Sequence, residues 1–414
     1  MQQKVLIIED SKTSMKVMQV LIREANLKPV CAYSLIEAKH IFSSSAPEEF
    51  LCAVVDYNLP DAQHGEAIDF TIESFLPTIV VTGCLDEETR TTILKKDVVD
   101  YITKENTQIY EYLSRLLSRL EKNKKVGVLV VDDSRVGRSV MVSLLRRHNF
   151  ITYEATDGQQ GLDALRRYNN IKLAIIDENM PVMSGLEMIS ELRRTLKKED
   201  LAVIGVSADN SSGLSARFIK SGANDYLHKP YCHEEFFCRI MQNVEHVENI
   251  EAIRRAANSD YLTGLPNRRH FFNRVSASQR LQPKQECFAI IDIDHFKSVN
   301  DNYGHDCGDY TLKKIAKLVA LRFGAYNAAR FGGEEFCLHM PHLPIAEAYE
   351  MLENLRQEIA NKTMRFEGEK FTCTVSIGLT AIGDGGITAM IRMADEYLYQ
   401  AKDSGRNQII CDPA

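Results

Sequence analysis

None of the ten cysteines stands in a C-x-x-C pair. That excludes the common zinc-site spacing and a disulfide framework, and it fits reduced thiols. No stretch approaches the ~18 consecutive apolar residues that a membrane-spanning helix needs. There is no basic excess either: the formal net charge is -7, and nothing points to a nucleic-acid-binding face. No Gly/Ser-rich or low-complexity segment interrupts the chain. The start, Met1-Gln2-Gln3-Lys4, runs straight into a short apolar segment and a double acid, which is not a signal-peptide pattern. These absences set the expectation of a cytoplasmic protein whose partners are neither nucleic acid nor membrane. What is present is ordinary for a globular chain, with 44% hydrophobic and 26% charged residues. The 414 residues suit roughly two to four domains.

One unit is written twice. Val5-Leu6-Ile7-Ile8-Glu9-Asp10-Ser11 recurs 123 positions later as Val128-Leu129-Val130-Val131-Asp132-Asp133-Ser134. Each copy is a buried-strand run ending in two acids and a serine, followed by an amphipathic helix pattern. A second apolar run ends in a lone aspartate, Asp56 or Asp177. A third ends in a hydroxyl, Thr82 or Ser207. A fourth carries a lysine three residues after an aromatic, Tyr101 to Lys104 and Tyr226 to Lys229. Short apolar runs alternating with helical patterns predict a doubly wound parallel sheet. Such sheets gather functional groups at the carboxyl ends of their strands. Clustered carboxylates there suit a hard divalent cation, and the lone aspartate suits nucleophilic attack on a phosphoryl group.

This set resembles the receiver domain of bacterial response regulators, over residues 1–122 and 126–245. The resemblance implies a flavodoxin-like fold, phosphorylation of Asp177 and Asp56, and a sensor histidine kinase or phosphotransfer protein as partner. It implies Mg²⁺ on Asp132, Asp133 and Asp177 in the second copy, and on Glu9, Asp10 and Asp56 in the first. Thr82 and Ser207 become switch hydroxyls, Tyr101 and Tyr226 switch aromatics, and Lys104 and Lys229 phosphate lysines. The copies differ in quality. The second has Lys229-Pro230, and Gly185 eight residues after Asp177. The first has Lys104-Glu105, and Gly65 nine residues after Asp56. Asp177 is therefore the favoured phosphoacceptor, and the first copy is expected chiefly to pack or dimerise.

From His233 to Asn258 there is neither Gly nor Pro, so one helix is predicted to run through the linker, residues 246–259, into a last domain, 260–414. Phe236, Ile240, Val244, Val247 and Ile250 recur three or four apart. Glu245, Glu248 and Glu251 interrupt a long heptad seam, leaving open whether the helix packs only on its own domain or also pairs with a twin. Farther on, Asp292 and Asp294 end a core strand with the two acids on one face. Arg330-Phe331-Gly332-Gly333-Glu334-Glu335-Phe336 reads as a hairpin presenting adjacent carboxylates between apolar strands. By itself that stretch also fits an ordinary glycine turn with solvated acids.

Five motifs in order make this segment similar to the GGDEF domain of diguanylate cyclases: D-x-L-T-G-L-x-N-R-R from Asp260, D-x-D-H-F-K-x-x-N-D from Asp292, G-H-x-x-G-D from Gly304, G-G-E-E-F from Gly332, and A-K-x-x-G-R-N from Ala401. The resemblance implies a βαββαβ-type sheet akin to nucleotidyl cyclases, and condensation of two GTP into cyclic di-GMP by a homodimer. It implies Mg²⁺, with Mn²⁺ as a substitute, on Asp292, the Ile293 carbonyl, Glu334 and Glu335. Catalysis falls to Asp292, Glu334 and Glu335. GTP binding falls to Phe296, Lys297, Asn300, Asp309, Gly332, Gly333, Lys402 and Arg406, with Lys402 and Arg406 expected one turn apart on a helix. The alternative reading is a non-catalytic protein that binds GTP or a partner. One departure stands out. Where the family often carries an R-x-x-D product-inhibition site, this chain has Phe323 and Tyr326, and no acid occurs between Asp309 and Glu334.

Overall fold

The computed structural model describes residues 2–83, 87–104, 108–209, 213–279, 285–381 and 386–412. The chain divides into two compact units, Met1–Ile250 and Glu251–Ala414.

The first unit holds both copies of the repeat. In the first copy the strands are β1 (Lys4–Ile8), β2 (Lys28–Ala32), β3 (Phe50–Asp56), β4 (Thr78–Thr82) and β5 (Asp100–Thr103). They form one sheet in the order β2-β1-β3-β4-β5, parallel throughout. Helices α1 (Lys12–Glu24), α2 (Leu35–Ser43), α3 (Glu66–Glu73), α4 (Glu87–Leu94) and α5 (Gln108–Asn123) alternate with them. The second copy repeats the pattern with β6 (Gly127–Val131), β7 (Ile151–Ala155), β8 (Ile171–Asp177), β9 (Ala202–Ser207) and β10 (Asp225–His228). Its sheet order is β10-β9-β8-β6-β7, the same arrangement. Its helices are α6 (Arg135–Arg147), α7 (Gly158–Arg167), α8 (Gly185–Leu192), α9 (Leu214–Ser221) and α10 (His233–Asn258).

The central strands are apolar on both faces because helices cover both; β3, β4, β6 and β9 are buried at every position. The serine of the repeated acid-acid-serine motif has a local explanation. Ser11 and Ser134 cap α1 and α6, their hydroxyls accepting from Ser14 N and Gly137 N. Each sheet edge therefore delivers its acids immediately before a fixed helix start.

Helix α10 is unbroken over 26 residues, as the absence of Gly and Pro predicts. The boundary drawn at 245/246 consequently falls inside one helix. The helix buries Phe236, Ile240, Val244 and Val247 in the core of the second copy.

The second unit contains α11 (Arg268–Gln279), β11 (Glu286–Ile293), α12 (Phe296–Tyr303), α13 (His305–Phe323), β12 (Asn327–Gly332), β13 (Glu335–Pro341), α14 (Ile345–Ala360), β14 (Met364–Phe366), β15 (Glu369–Phe371), β16 (Val375–Ala381), α15 (Gly386–Asp403) and β17 (Ile409–Cys411). The expected βαββαβ order holds for the main sheet, with a further helix and strand after it. That sheet runs β12-β13-β11-β16-β17. Apolar periodicity also suggests a single strand from Phe371 to Leu379. Instead Phe371 belongs to the separate β14-β15 hairpin, and β16 begins only at Val375. β11 is buried along its whole length. Phe288 and Ile290 pack with residues of α11 and α15, while Ala289, Ile291 and Ile293 pack with residues of α13 and α14. The strand that carries Asp292 near its end is thus fully enclosed, and rigid on that account.

Candidate functional site

The second unit builds its site where β11 and the β12-β13 hairpin end together. Asp292 lies directly opposite Glu335 in the antiparallel β11-β13 register. Gly332 and Gly333 sit at φ 151° and 49°, and a Cβ on either would meet nothing within 4 Å. They are needed for the backbone angle, and they leave open space above the turn. Arg330 holds that turn in place. Its Nε and Nη2 donate to the Gly333 carbonyl at 3.0 and 2.6 Å, and its Nη1 donates to Asp260 Oδ1 at 3.0 Å. Asp260 also accepts from the Thr263 amide and hydroxyl. Sequence reading quoted both residues inside motifs but gave neither a role.

Asp292 is only 5% exposed. Burial pushes its carboxyl up to about 6, against the opposing pull of the neighbouring Lys402; Glu334 and Glu335 add to the rise. One buried carboxylate with two more acids on the facing hairpin suits a divalent cation. Glu335 is exposed and Glu334 half-buried, so the hairpin acids face the open side.

Lys402 does not stand free. Its Nζ lies 2.9 Å from Asp292 Oδ2, directed at the candidate metal carboxylate. Nor do Lys402 and Arg406 share a helix. α15 ends at Asp403, the chain turns through Gly405 at φ 111°, and Arg406 and Asn407 follow at 65° and 47°. Asp294, which shares a face with Asp292 on paper, lies past the strand end and does something else. Its oxygens accept from Thr374 Oγ1 at 2.7 Å, Ser376 Oγ at 2.6 Å and the Asn407 amide at 3.0 Å. It anchors the backbone beside Arg406.

Asn300 and the start of α13 come together through Gly308. A Cβ there would lie 1.9 Å from Asn300 Oδ1 and 3.2 Å from Phe296 Cζ. Glycine lets α13 close over the Asn300 amide, with Asp309 exposed beside it. Phe296 is buried and Lys297 exposed; Phe296 serves the packing of this corner.

Each copy in the first unit gathers its own acids. Lys104 Nζ reaches Glu9 Oε1 at 2.9 Å and Asp56 Oδ2 at 2.6 Å. Lys229 Nζ reaches Asp132 Oδ2 at 2.8 Å and Asp177 Oδ1 at 2.6 Å. Burial would lower both lysines, but their carboxylate partners outweigh it and hold the ammonium groups above the usual range. Burial raises the Asp177 and Glu9 carboxyls despite the lysine beside each. Among the described residues, Glu9, Asp10 and Asp56 are the one group of three acids that bring an oxygen each within 4.8 Å of one another. Asp132, Asp133 and Asp177 are not gathered that tightly, and neither are Asp292, Glu334 and Glu335. Gly185 is explained by contact: a Cβ there would lie 2.2 Å from the Asp177 carbonyl. Glu105, which stands where the second copy has Pro230, lies outside the described residues.

The expected switch aromatics differ. Tyr226 packs against Phe218 with ring centroids 5.5 Å apart and bonds Ser207. Tyr101 instead donates its hydroxyl to Glu234 Oε1 on α10, at 3.0 Å, and Arg90 joins both. The two copies are further joined by Arg119, whose guanidinium binds Glu248 through two bonds of 2.5 and 2.9 Å. Asn123 links Arg119 Nε to the His148 carbonyl. The His148 ring lies against Phe237 with centroids 3.4 Å apart, and its Nε2 meets the Val99 carbonyl. A cavity of about 510 Å³ lies along this seam, lined by Tyr112, Leu116, Phe237 and Met241 among others. No sequence signal identified these partners.

Both units are similar to known proteins. The family model "Diguanylate cyclase, GGDEF domain" matches residues 257–408, and "Response regulator receiver domain" matches residues 128–241. The first copy of the repeat lies outside the receiver match. Response regulator PleD of Caulobacter vibrioides is 30% identical over 255 residues, 58% of this chain and 56% of that protein. The alignment thus spans little more than half of that relative. Diguanylate cyclase VdcA of Vibrio cholerae is 30% identical over 277 residues, 64% of this chain and 80% of that protein. A solved structure of a "probable two-component system response regulator/GGDEF domain protein" is 35% identical, with a TM-score of 0.53; the match covers 60% of this chain and all of that one.

Proposed function

The chain belongs to the diguanylate cyclase family, and from that premise we propose that it is a phosphorylation-regulated cyclase making cyclic di-GMP from two GTP. The observation that carries this reading is the Gly332–Glu335 turn opposite Asp292, in a unit that also brings Asn300 against the start of α13. The open space over the two glycines admits a triphosphate close to the backbone. Asn300 and Asp309 present an amide and a carboxylate to a base edge. A carboxylate accepting from N1-H and N2-H₂ selects guanine over adenine.

Each site holds one GTP, and the product joins two. Two copies of the domain must therefore face each other, so the active species is a homodimer. The 3′-hydroxyl of one GTP attacks the α-phosphorus of the other. Its proton leaves toward Glu334, and pyrophosphate departs; the second bond forms in the same way with the roles exchanged. Asp292, the Ile293 carbonyl, Glu334 and Glu335 are the residues that would hold a divalent cation, Mg²⁺ in the cell. Bound there, the ion supplies neutralisation of the triphosphate charge.

The first copy of the repeat is read as a second receiver. Its support is the shared strand order, the Glu9-Asp10-Asp56 group and the Lys104 contact. A histidine kinase or phosphotransfer protein supplies the phosphoryl group. Phosphorylation favours one arrangement of paired chains, with α10 carrying the change toward the cyclase domain. Such control needs the phosphate to bind the two arrangements differently.

The test is incubation of the full chain with GTP and Mg²⁺, followed by chromatography for cyclic di-GMP. Product is expected from the wild type and none from Asp292→Ala or Glu335→Ala. GTP left unconsumed by a folded, dimeric, beryllofluoride-treated chain would sink the reading.

A further inference from the structure

The cation already at Asp292 is the protein's own. Lys402 projects from the last turn of α15 and places Nζ 2.9 Å from Asp292 Oδ2. The Asp292 side chain is 7% exposed and that of Lys402 34%. The carboxylate is enclosed by the sheet, and the ammonium closes its solvent side. A divalent cation seated on Asp292 would stand against this ammonium in a partly dry setting, where like charges are poorly screened.

Lys402 has somewhere else to go. Its stem carries four rotatable carbons, and the neighbouring open face over Gly332 and Gly333 is where a triphosphate fits. A triphosphate brings about four negative charges at neutral pH, enough to pair with the ammonium and the metal together. Asp294 meanwhile accepts from the Asn407 amide and is itself held by the Thr374 and Ser376 hydroxyls. The far end of the segment after α15 thus stays put when the Lys402 side chain swings.

We propose that Lys402 is an internal competitor for the metal seat: it blocks binding of a bare divalent cation, and it yields only when the metal arrives together with a triphosphate. This rests on the cyclase reading of the same site, and it adds an order to its loading. Metal and nucleotide affinities become coupled, and the coupling must be reciprocal. A cell's free metal would then not occupy the site ahead of GTP.

The experiment uses full-length protein carrying Asp10→Asn and Asp133→Asn, which removes an exposed acid from each receiver's candidate metal group. Free Mn²⁺ is followed by electron paramagnetic resonance at pH 8.5, with and without a non-hydrolysable GTP analogue. Asp292→Asn identifies the signal that belongs to the cyclase seat. In Lys402→Met, Mn²⁺ alone is expected to bind tighter by about tenfold or more, the scale on which an adjacent cation shifts a carboxylate. Lys402→Arg, which keeps the positive charge, is expected to stay within about threefold of wild type. The analogue should tighten Mn²⁺ binding strongly in wild type and much less in Lys402→Met. Melting curves verify that each variant is folded. Equal or weaker binding of Mn²⁺ alone by folded Lys402→Met overturns the proposal. A failure of the cyclase reading looks different: the analogue then changes Mn²⁺ binding in neither protein, while the metal-only arm still reports on Lys402.

Discussion

A methyl group at Gly308 would lie 1.9 Å from the Asn300 Oδ1 atom and 3.0 Å from its Cγ. The obstructing group is the end of a side chain, so Gly308→Ala is expected to push the Asn300 amide aside rather than unfold α13. Losing one positioned hydrogen bond is worth about 1 kcal/mol. Affinity for a GTP analogue should therefore fall by roughly five- to tenfold, with a melting temperature within a few degrees of wild type. Calorimetry and a melt on the same sample check both halves; unchanged affinity would remove Asn300 from the base-reading corner. Residue-scale motif matching singled out Asp292, Glu335, Asn300 and Asp309 as candidates because each stands in a short pattern of fixed spacing. It left Arg330 and Asp294 without roles, since their partners (Gly333, Asp260, Thr374, Ser376) are set by how loops close.

At the scale of elements, α10 shows how a helix can be legible while its partners are not. Apolar spacing revealed the face bearing Phe236, Ile240, Val244 and Val247. The glutamates that seemed only to interrupt a seam include Glu248, which pairs with a buried Arg119 from 129 positions earlier. Glu248→Gln leaves that guanidinium underpaired and is expected to cost about 3 kcal/mol, whereas Arg119→Met with Glu248→Met should recover most of the loss. Denaturant midpoints of the three proteins measure this; a double variant no better than the single would deny the coupling.

The same seam is expected to respond to pH. Burial lowers the His233 imidazole to about 4, and burial with His233 nearby lowers that of His148 further below its usual value. Both are favoured neutral in the fold. Their contribution is therefore complete above the unfolded value near 6.5 and is lost as pH falls from there through the folded one. The wild-type melting temperature is expected to drop between pH 7 and 5 by more than that of His233→Gln. Equal drops would remove His233 from the acid response.

For the whole molecule, two outcomes follow. Phe323 is fully buried at the end of α13, and Tyr326 packs near it with centroids 6.5 Å apart. An aromatic pair there offers no charges to a cyclic dinucleotide. Turnover is expected to continue at product concentrations of tens of micromolar; sub-micromolar binding of cyclic di-GMP to this face, seen by calorimetry, would contradict it. Phosphoryl uptake from acetyl phosphate, weighed by mass spectrometry, should fall more in Asp177→Asn than in Asp56→Asn. The tight Glu9-Asp10-Asp56 group argues that the first copy also takes phosphate; uptake by Asp177→Asn equal to wild type would reverse the ranking.

By itself the sequence determined what local pattern can encode. That includes the doubled β-α unit with its acids at the strand ends, the uninterrupted helix from His233, and the order of the cyclase motifs. Buried strands must be apolar, caps must be hydroxyls and tight turns must be glycine, so these leave marks within a few residues. Only the tertiary structure decided which charge meets which. It put Lys402 on Asp292, carried Arg406 off the helix, aimed Tyr101 at Glu234 and paired Arg119 with Glu248. Such pairings depend on the distance between elements after packing, which no residue spacing records.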